Sequence, residues 1–499
     1  MSRHRRTVAA VDLGAESGRV ASVSFDGRTL DLDIVHRFTH APAVRDGILR
    51  WDTGGIFDNI LAGLATLSAG DLEVSAVGVD SWGVDYGLLA PDGSLVDGPT
   101  CYRDPRQARA LARAVVAGGS NPFYDLTGVQ VHPINTVFGL LDDAAERPDR
   151  LEAARTVVMM PDVFHHLLSG STVSEYTAVS TSGLFNVATN RWATELLDRI
   201  GLPGRILPEV VPPGTDVGPL LSAGGRLGSA RVVLPASHDT ASAVVAVPYM
   251  DPGAMFISSG TWSLVGIETR QAVITGASRR ANLTNEGGYG GTVRLLRNVT
   301  GLWLLQECRR QWIREGVDLG YAELSRMAAA ETGFRSFIDA DAPEFLGPGD
   351  MPARIRSYCA RTGSVVPEGI GAVARCVLDS LALSYRRVLE DITEVTGTRP
   401  PSISVVGGGA NNTLLSQLTA DATGLPVYSG PVEATALGNG AVQLAALGEL
   451  TGPEEIRQVI AAGTEVRTFL PRPDQRWDEA AARLRAEITR TATAVTVDA

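Results

Sequence analysis

The chain contains 499 residues, with 44 basic and 56 acidic side chains and therefore a net charge of −12 at neutral pH. Apart from histidine, every basic residue is arginine, and the sequence has no lysine at all. This excludes a Walker-type phosphate loop, a Schiff-base lysine and the lysine of protein kinases. The acidic balance argues against nucleic acid as the main partner, since phosphate backbones bind basic surfaces. By length, two large or three average domains are expected.

The remaining composition is typical of a globular protein of the cytoplasm. The cysteines form no CxxC pair and no zinc spacing, so we expect free thiols in a reducing compartment, with the last two as candidates for a close pair: Cys101, Cys308, Cys359 and Cys376. The first apolar stretch ends at Asp12, too short for a signal peptide, and no run of about 18 apolar residues predicts a membrane span. We therefore expect a cytoplasmic monomer or homodimer with no membrane partner.

The first part of the chain alternates between strand and helix patterns. Residues 7–13 and 20–25 are apolar and β-branched, and the small residues 14–18 between them predict a strand-turn-strand unit. Further elements are predicted in chain order: a helix at 56–67, a strand at 74–80, and helices around 106–116 and 144–154.

The second part repeats this arrangement. A strand at 231–234 precedes a second strand-turn-strand unit at 255–267, and a Gly-rich turn at 407–409 follows a further strand. The alternation predicts an α/β fold. Because the two strand-turn-strand units lie about half a chain apart, we expect a duplicated architecture of two similar halves facing each other, 1–245 and 246–499.

The turn after the first strand is a candidate phosphate-binding loop. Its small residues allow backbone N–H groups to approach phosphate oxygens closely. Ser17 adds a hydroxyl donor, Arg19 supplies a cation in place of the missing lysine, and Asp12 could hold magnesium-bound water. The alternative is a plain hairpin turn, in which Gly and Ser are common.

Two further segments could complete a site for phosphoryl transfer. Asp239 follows a strand end, where a carboxylate facing a cleft can accept a proton from a substrate hydroxyl; the alternative is a helix N-cap. The hydroxyl-rich loop at 258–263 has the layout of the first loop, and two such loops on opposing halves would grip a polyphosphate from both sides. A surface hairpin is the alternative there.

Three more segments carry polar groups suited to a nucleotide or a sugar. If residues 298–306 form a helix, Asn298 and Gln306 point broadly into one cleft; buried amides satisfied by backbone are the alternative. Glycines 407–409 leave room for a nucleotide on the backbone without forming a GxGxxG fingerprint. The carboxylates and aromatic residues of 80–87 suit a polyhydroxylated ligand.

Taken in order, these segments resemble the FGGY family of carbohydrate kinases, and within it the rhamnulokinases. The resemblance extends from Asp12 to about Leu450. The closest matches are DLGAESGR at 12–19, DSWGVD at 80–85, YRD at 102–104, ASHDTASA at 236–243, SSGTWSL at 258–264, TNEGG at 284–288, NVTGLWLLQ at 298–306, VGGGANN at 406–412 and GPVEA at 430–434.

This resemblance implies a two-domain, actin-like (ribonuclease H-like) ATPase fold with the active site in the interdomain cleft. The half 1–245 would carry the sugar site, the first phosphate loop and the catalytic aspartate, and the half 246–499 the ATP site. The implied reaction converts ATP and L-rhamnulose to ADP and L-rhamnulose 1-phosphate with Mg²⁺. The rival interpretations are a family member acting on L-fuculose or a pentulose, an actin-like ATPase without a sugar substrate, and a non-catalytic sugar sensor.

The resemblance also implies roles for individual residues. Asp239 matches the catalytic proton acceptor. The other substrate contacts would be Gly83, His238, Thr240 and Asn298. The ATP contacts would be Ala15, Glu16, Ser17, Gly18, Arg19, Thr261, Gln306 and Gly408. Glu16 departs from the family pattern, in which Ser is common at this point, and a carboxylate there repels phosphate unless it points away or acts through magnesium.

Overall fold

The structure, a computed structural model, describes residues 5–70, 72–119, 121–221, 227–248 and 251–497. The chain divides into two compact units. Unit one comprises Met1–Tyr249, Glu268–Leu296 and Glu433–Thr464, and unit two comprises Met250–Ile267, Arg297–Val432 and Glu465–Ala499. Each unit is therefore assembled from segments that are distant in sequence.

Both units combine strands and helices. The strands are β1 Arg6–Leu13, β2 Ser17–Phe25, β3 Leu30–Thr39, β4 Ala43–Arg45, β5 Ile48–Arg50, β6 Val74–Ser81, β7 Tyr86–Leu89, β8 Thr156–Met159, β9 Ser174–Glu175, β10 Phe185–Asn186, β11 Arg191–Trp192, β12 Val210–Val211, β13 Asp216–Pro219, β14 Arg231–Val233, β15 Met255–Ser259, β16 Trp262–Thr269, β17 Thr284–Gly287, β18 Val293–Thr300, β19 Ile403–Val406, β20 Val427–Ser429 and β21 Arg467–Phe469. The helices are α1 Thr53–Ala69, α2 Pro105–Gly118, α3 Asn121–Thr127, α4 Thr136–Glu146, α5 Pro148–Ala153, α6 Met160–Ser169, α7 Tyr176–Val179, α8 Thr194–Ile200, α9 Asp239–Val245, α10 Gly276–Arg280, α11 Trp303–Arg314, α12 Tyr321–Ala330, α13 Met351–Thr362, α14 Gly369–Thr396, α15 Thr413–Thr423, α16 Ala434–Ala446, α17 Pro453–Gly463 and α18 Arg476–Val497.

The main sheet of unit one has the strand order β13-β14-β6-β1-β2-β3. Strands β1, β6 and β14 are parallel, whereas β1, β2 and β3 form an antiparallel meander. Helix α1 covers the meander with Ile56, Ile60 and Leu64, whose spacing of four places them on one helix face. Helix α16 packs on β1, β2 and β6. The carboxyl ends of three parallel strands therefore meet at one edge of this sheet.

A seven-stranded sheet has the order β17-β18-β16-β15-β19-β20-β21. Its run β18-β16-β15-β19-β20 repeats the run β3-β2-β1-β6-β14 of the first sheet. In both runs the first strand in sequence pairs antiparallel with the next and parallel with a later one. The prediction of a duplicated α/β architecture is thus confirmed at the level of sheet topology.

One predicted helix, and one helix that was considered only as a condition, differ from the structure. The pattern at 144–154 is divided between α4 and α5, because Pro148 disfavours helical backbone in the residue before it and Arg147 has φ −147°. Residues 298–306 are not one helix: Asn298 lies on β18, and α11 begins only at Trp303. The chain turns at Gly301, where a Cβ atom would lie 2.6 Å from the Ser263 backbone nitrogen.

All four cysteines are buried free thiols. The thiols of Cys359 on α13 and Cys376 on α14 interact, which lowers the pKa of Cys359 and raises that of Cys376. Within the described ranges, no helix combines the length and the apolar character that crossing a bilayer requires.

Candidate active site

The candidate catalytic residues of unit one lie at the carboxyl ends of its parallel strands. Asp12 near the end of β1 pairs in register with Asp80 on β6. Beyond β14, the Ser237 carbonyl accepts a hydrogen bond of 2.9 Å from the Ser81 N–H, which places His238 opposite Ser81. Residues 12, 80 and 238, far apart in sequence, therefore share one edge of the sheet, where open α/β sheets bind ligands.

Three carboxylates interact at this edge. Burial raises the pKa of Asp80 well above its ordinary value, and the carboxylate of Asp12 raises it further. Burial also raises the pKa of Asp12, although Arg19 acts in the opposite direction, and it raises the pKa of Asp239. Asp12 and Asp80 each feel the charge of Asp239. The cluster therefore concentrates negative charge in a desolvated place, which favours a cation or a proton.

Helix α16 contributes a partner that the sequence patterns did not reveal. The Asn439 amide donates a hydrogen bond of 2.6 Å to Oδ2 of Asp80 and one of 3.2 Å to the Gly78 carbonyl. Gln443, one turn later, donates to the Ala9 carbonyl at 3.0 Å and to Oδ1 of Asn439 at 2.6 Å. Both amides are fully buried. Asn439, held by Gln443, thus fixes Oδ2 of Asp80. The other oxygen of Asp80, Oδ1, is buried without a hydrogen-bond partner among the described residues.

Arg19 on β2 binds carboxylates of its own unit. Its Nε lies 3.3 Å from Oδ2 of Asp12, and its Nη1 bonds to Glu433. Arg37 on β3 donates to the other Glu433 oxygen at 2.6 Å. Arg19 therefore neutralises Asp12 and links β2 to Glu433, the residue that precedes α16. The contact of Arg19 with a phosphate stays a prediction.

The first candidate phosphate loop is a tight hairpin. The Gly14 N–H donates to the Ser17 carbonyl at 2.9 Å, so Ala15 and Glu16 form its tip. The Glu16 carbonyl accepts a hydrogen bond of 3.2 Å from the His40 N–H, which ties the tip to the end of β3. The hairpin and the phosphate-loop interpretations of this segment are compatible, since the hairpin ends beside Asp12 and Arg19.

Asp239 is the first residue of α9, and His238 is its N-cap residue. The side chain of Asp239 is 29% exposed, whereas those of Asp12 and His238 are 5% and 7% exposed. Its Oδ1 accepts a hydrogen bond of 2.5 Å from the Thr240 N–H. The helix N-terminus favours negative charge there. Asp239 is therefore the accessible carboxylate of the cluster, as a proton acceptor must be.

A buried ion pair contacts His238 at Nδ1, the ring nitrogen that does not face Asp239. Its Nδ1 lies 3.1 Å from Nη2 of Arg294 and 3.3 Å from Oε2 of Glu286. Arg294 and Glu286 are directly opposite each other on β18 and β17, with 3.3 Å between Nη2 and Oε2. The other ring nitrogen of His238, Nε2, lies 3.5 Å from Oδ1 of Asp239.

The backbone around His238 is fixed by a second buried carboxylate. Glu175 accepts hydrogen bonds from the Ser237 N–H at 3.0 Å and from the Thr177 hydroxyl at 2.5 Å. The Thr177 oxygen in turn accepts the His238 N–H at 3.1 Å. Burial raises the pKa of Glu175 to about 8. The start of α9 is thus positioned by hydrogen bonds to its backbone as well as to its side chains.

Gly83 occupies a strained turn beside His238. The Asp85 N–H donates to the Gly83 carbonyl at 2.9 Å, and Val84 between them has φ +68°. A three-residue turn of this hand is rare, and left-handed backbone is unfavourable for a β-branched residue. A Cβ on Gly83 would lie 3.2 Å from Nε2 of His238. Bare backbone is therefore presented directly to the imidazole.

Two threonine hydroxyls hold this turn. Thr136 donates to the Val84 carbonyl at 2.6 Å, and the Val84 N–H donates to Oγ1 of Thr181 at 3.0 Å. Both threonines are buried. Strained backbone that is held in place by its surroundings is typical of ligand sites.

Asp85 anchors two tryptophans next to the turn. Its Oδ2 accepts hydrogen bonds from the indole nitrogens of Trp51 at 2.6 Å and Trp82 at 2.9 Å. The two rings lie 4.4 Å apart, and the His40 ring stacks on Trp82. Oδ1 of Asp85 is buried without a hydrogen-bond partner in the described part of the chain. Such an acceptor at a sugar-like site is suited to a ligand hydroxyl.

We expect Asp85→Asn to flatten the pH dependence of stability. Burial raises the pKa of Asp85 to about 7, so between about pH 4 and 7 the folded protein keeps a proton that the unfolded chain has lost. The contribution of this group to the free energy of unfolding therefore falls as the pH rises through that range. Urea unfolding at about pH 5 and 8 measures the effect. The difference between the two values should shrink in Asp85→Asn and persist in Asp198→Asn, which changes an exposed helix residue; an undiminished difference in the first variant would contradict the prediction.

In unit two, the three predicted ATP contacts are carried by elements that meet. The Gly260 N–H donates to the Trp262 carbonyl at 2.8 Å, which closes the turn between β15 and β16. The carbonyl of Thr261 accepts the N–H of Trp303 at 3.0 Å, so this turn contacts the start of α11, which bears Gln306. Oε1 of Gln306 is buried and has no hydrogen-bond partner among the described residues.

The Gly-rich turn after β19 packs on the same loop. Gly407 has φ +84°, and a Cβ on Gly409 would lie 1.9 Å from the Ser259 hydroxyl. At Gly408, by contrast, a Cβ would meet nothing within 4 Å. The glycines therefore allow close packing on one side and leave open backbone at Gly408. The predicted nucleotide contact at Gly408 stays a prediction, with which this open backbone is compatible.

The donor set of unit one fits a divalent cation bound through water. In the described portion of the chain, no group of three or more His, Cys, Asp and Glu side chains could hold a metal ion directly. The charge of Asp239 nevertheless raises the pKa values of Asp12 and Asp80, and Asp12 also raises that of Asp80; a hard cation prefers such oxygen donors. Oδ1 of Asp80, which is buried and has no hydrogen-bond partner among the described residues, would accept a hydrogen bond from a metal-bound water.

Sequence reasoning missed several residues of the site. Glu286 and Glu433 lay inside recognised motifs but received no role, while Arg294 and Asn439 lay in segments without a motif. A lone Asn in a helix or a lone Arg in an apolar strand carries one weak signal, namely a polar residue where the pattern predicts burial.

Comparisons with known proteins identify the family of this chain. Models of the N-terminal and C-terminal domains of the FGGY family of carbohydrate kinases match residues 7–246 and 255–447. The chain is 40% identical to a rhamnulokinase of Bacteroides thetaiotaomicron over 94% of its own length and 97% of the relative. It is also 40% identical to one of Enterococcus faecalis, with 94% and 93% covered.

Solved structures share the fold. Gluconate kinase of Lactobacillus acidophilus matches with a TM-score of 0.77 at 16% identity, covering 99% of this chain and 98% of its own. Xylulose kinase of Rhodospirillum rubrum matches with a TM-score of 0.75 at 18% identity, covering 98% and 99%. The chain therefore belongs to the FGGY family of carbohydrate kinases, enzymes that act on small-molecule sugars with ATP and typically a divalent metal ion.

Proposed function

We propose that this enzyme transfers the terminal phosphoryl group of ATP to the 1-hydroxyl of L-rhamnulose, giving L-rhamnulose 1-phosphate and ADP in L-rhamnose breakdown. The observation that carries the reaction type is the partly open carboxylate of Asp239, held at the start of α9 beside His238 and Gly83. The choice of sugar rests on the curated relatives, which are named rhamnulokinase and align along nearly the whole chain.

Asp239 is the general base in this proposal. It would take the proton from the 1-hydroxyl as that oxygen attacks the terminal phosphorus, and ADP would leave from the opposite side. Burial raises the pKa of Asp239, which makes the carboxylate a stronger base than an exposed one. Phosphoryl transfer otherwise needs alignment and neutralisation of charge.

The remaining predicted contacts are divided between the sugar and ATP. Gly83, His238, Thr240 and Asn298 would bind the sugar. Ala15, Glu16, Ser17, Gly18 and Arg19 would bind phosphates from the half 1–245, and Thr261, Gln306 and Gly408 would bind ATP from the half 246–499. A guanidinium has five N–H groups, and the carboxylates of the described residues contact Arg19 through Nε and Nη1, which leaves Nη2 as the donor for a phosphate in this proposal.

A divalent cation, Mg²⁺ in this proposal, supplies neutralisation of the phosphate oxygens when bound. Asp12 would hold it through water. Arg19, within 3.3 Å of Asp12, keeps this carboxylate ionised and oriented.

A panel of ketoses tests the substrate. We expect L-rhamnulose to stimulate ADP release well above L-fuculose and pentuloses, and phosphorus NMR to identify the product as the 1-phosphate. ATP without a ketose is the control, and hydrolysis there at the full rate would support an actin-like ATPase instead. Stronger stimulation by another ketose would replace the substrate, and no stimulation by L-rhamnulose would overturn the assignment.

A further inference from the structure

The buried pair behind His238 restricts where the imidazole can carry its proton. Nη2 of Arg294 lies 3.1 Å from Nδ1 of His238. A guanidinium nitrogen only donates hydrogen bonds. Nδ1 must therefore be the acceptor, since a proton on Nδ1 would face an N–H of the guanidinium at this distance. In the neutral ring the proton then belongs on Nε2.

Glu286 creates a competing arrangement. Its Oε2 lies 3.3 Å from the same Nδ1, so without Arg294 it would accept a proton from that nitrogen. With Arg294 in place, the carboxylate instead balances the charge of a guanidinium that is 0% exposed. Breaking one partner of a buried pair leaves an uncompensated charge, so the two residues act as a unit. Asp239 and Glu175 also interact electrostatically with Arg294.

The other ring nitrogen faces the reacting groups. Nε2 lies 3.5 Å from Oδ1 of Asp239, and a Cβ on Gly83 would be 3.2 Å away from it. A proton on Nε2 makes His238 a donor at this place, towards Asp239 or towards a substrate oxygen. A proton on Nδ1 would turn the lone pair of Nε2 towards the carboxylate and remove that donor.

We propose that Arg294 is a positioning residue that fixes the neutral Nε2–H tautomer of His238, with Glu286 as its counter-charge. The identity of the oxygen that receives this hydrogen bond rests on the proposed function, whereas the tautomer does not. Nothing in the sequence motifs marks Arg294, because its role depends on the pairing of β17 with β18 and on the position of the loop before α9.

Long-range proton–nitrogen NMR of the full chain, labelled with ¹⁵N-histidine, tests the tautomer without substrate. The chain has seven histidines, and His238→Gln assigns the relevant signals. At about pH 8 we expect a protonated Nε2 and an unprotonated Nδ1. In Arg294→Met, Nδ1 should become protonated, since Glu286 is then its acceptor. Glu286→Gln is the matched control: it keeps Arg294 and should keep the Nε2–H form.

Kinetics provide the second readout. Arg294→Met should lower kcat/KM for the ketose on the order of 10- to 100-fold through misplacement of His238, with the KM for ATP unchanged. A protonated Nδ1 in the unchanged protein, or the same tautomer in Arg294→Met, overturns the inference. If Arg294→Met does not fold, the spectrum of the unchanged protein still tests the tautomer of His238. An Nε2–H signature in an enzyme inactive on L-rhamnulose would overturn the substrate assignment and leave the tautomer intact.

Discussion

Asp239→Asn should lose about 10²- to 10⁴-fold in kcat while ATP binds as before. Asparagine keeps the size of the side chain and still offers Oδ1 to the Thr240 N–H, so the start of α9 should stay in place. It cannot accept a proton, and the attacking hydroxyl then has no base. Steady-state kinetics with the ketose measure kcat, and calorimetric titration with ATP measures the affinity for ATP.

The pH profile strengthens this test. A carboxylate with a raised pKa loses its ability to accept a proton at a higher pH than an exposed aspartate does, so kcat/KM should fall as the pH drops through the pKa of Asp239. The residual activity of Asp239→Asn should lack this acidic limb. Turnover of Asp239→Asn near that of the unchanged enzyme would contradict the assignment of Asp239 as the general base.

Gly438→Ala should both destabilise unit one and reduce activity. Gly438 on α16 faces α9, and a Cβ there would lie 1.9 Å from the Ser242 carbonyl oxygen. No rotamer relieves a contact between a Cβ and backbone, so the helices must separate. Overpacking of this kind costs about 1–3 kcal/mol or more of the free energy of unfolding. Since α9 begins with Asp239, its displacement also moves the base.

Urea unfolding and ketose-dependent ADP release check this prediction. Gly204→Ala is the matched control, since a Cβ at Gly204 meets nothing within 4 Å. That control should retain both stability and turnover. Unchanged stability in Gly438→Ala would show that α16 and α9 accommodate the methyl group and would contradict the close packing.

Local patterns predicted the elements around the site well. Short turns of Gly and Ser between β-branched runs correctly placed the hairpin after Asp12 and the one around Gly260, because such turns depend on residues adjacent in sequence. Residues 298–306 do not form the single helix that was considered as one condition for them, and the reason is the opposite. There β18 continues to Thr300 in the sheet, and the Gly260 carbonyl receives the N–H of Leu302 from across the chain.

The sequence by itself determined the family, the α/β class and the expectation of a duplicated architecture, and it predicted Asp239 as the base, because these inferences depend on motifs and periodicities within short segments. The absence of lysine also excluded a lysine-based phosphate loop on composition alone. Only the tertiary structure decided the partners: Asn439 for Asp80, Glu433 for Arg19, and Arg294 for His238. Each pair joins side chains from distant segments, and a single buried polar contact has no periodic signal along the chain. Strand pairing and helix packing bring these atoms within hydrogen-bond distance, and burial then sets the charge and proton positions of the site.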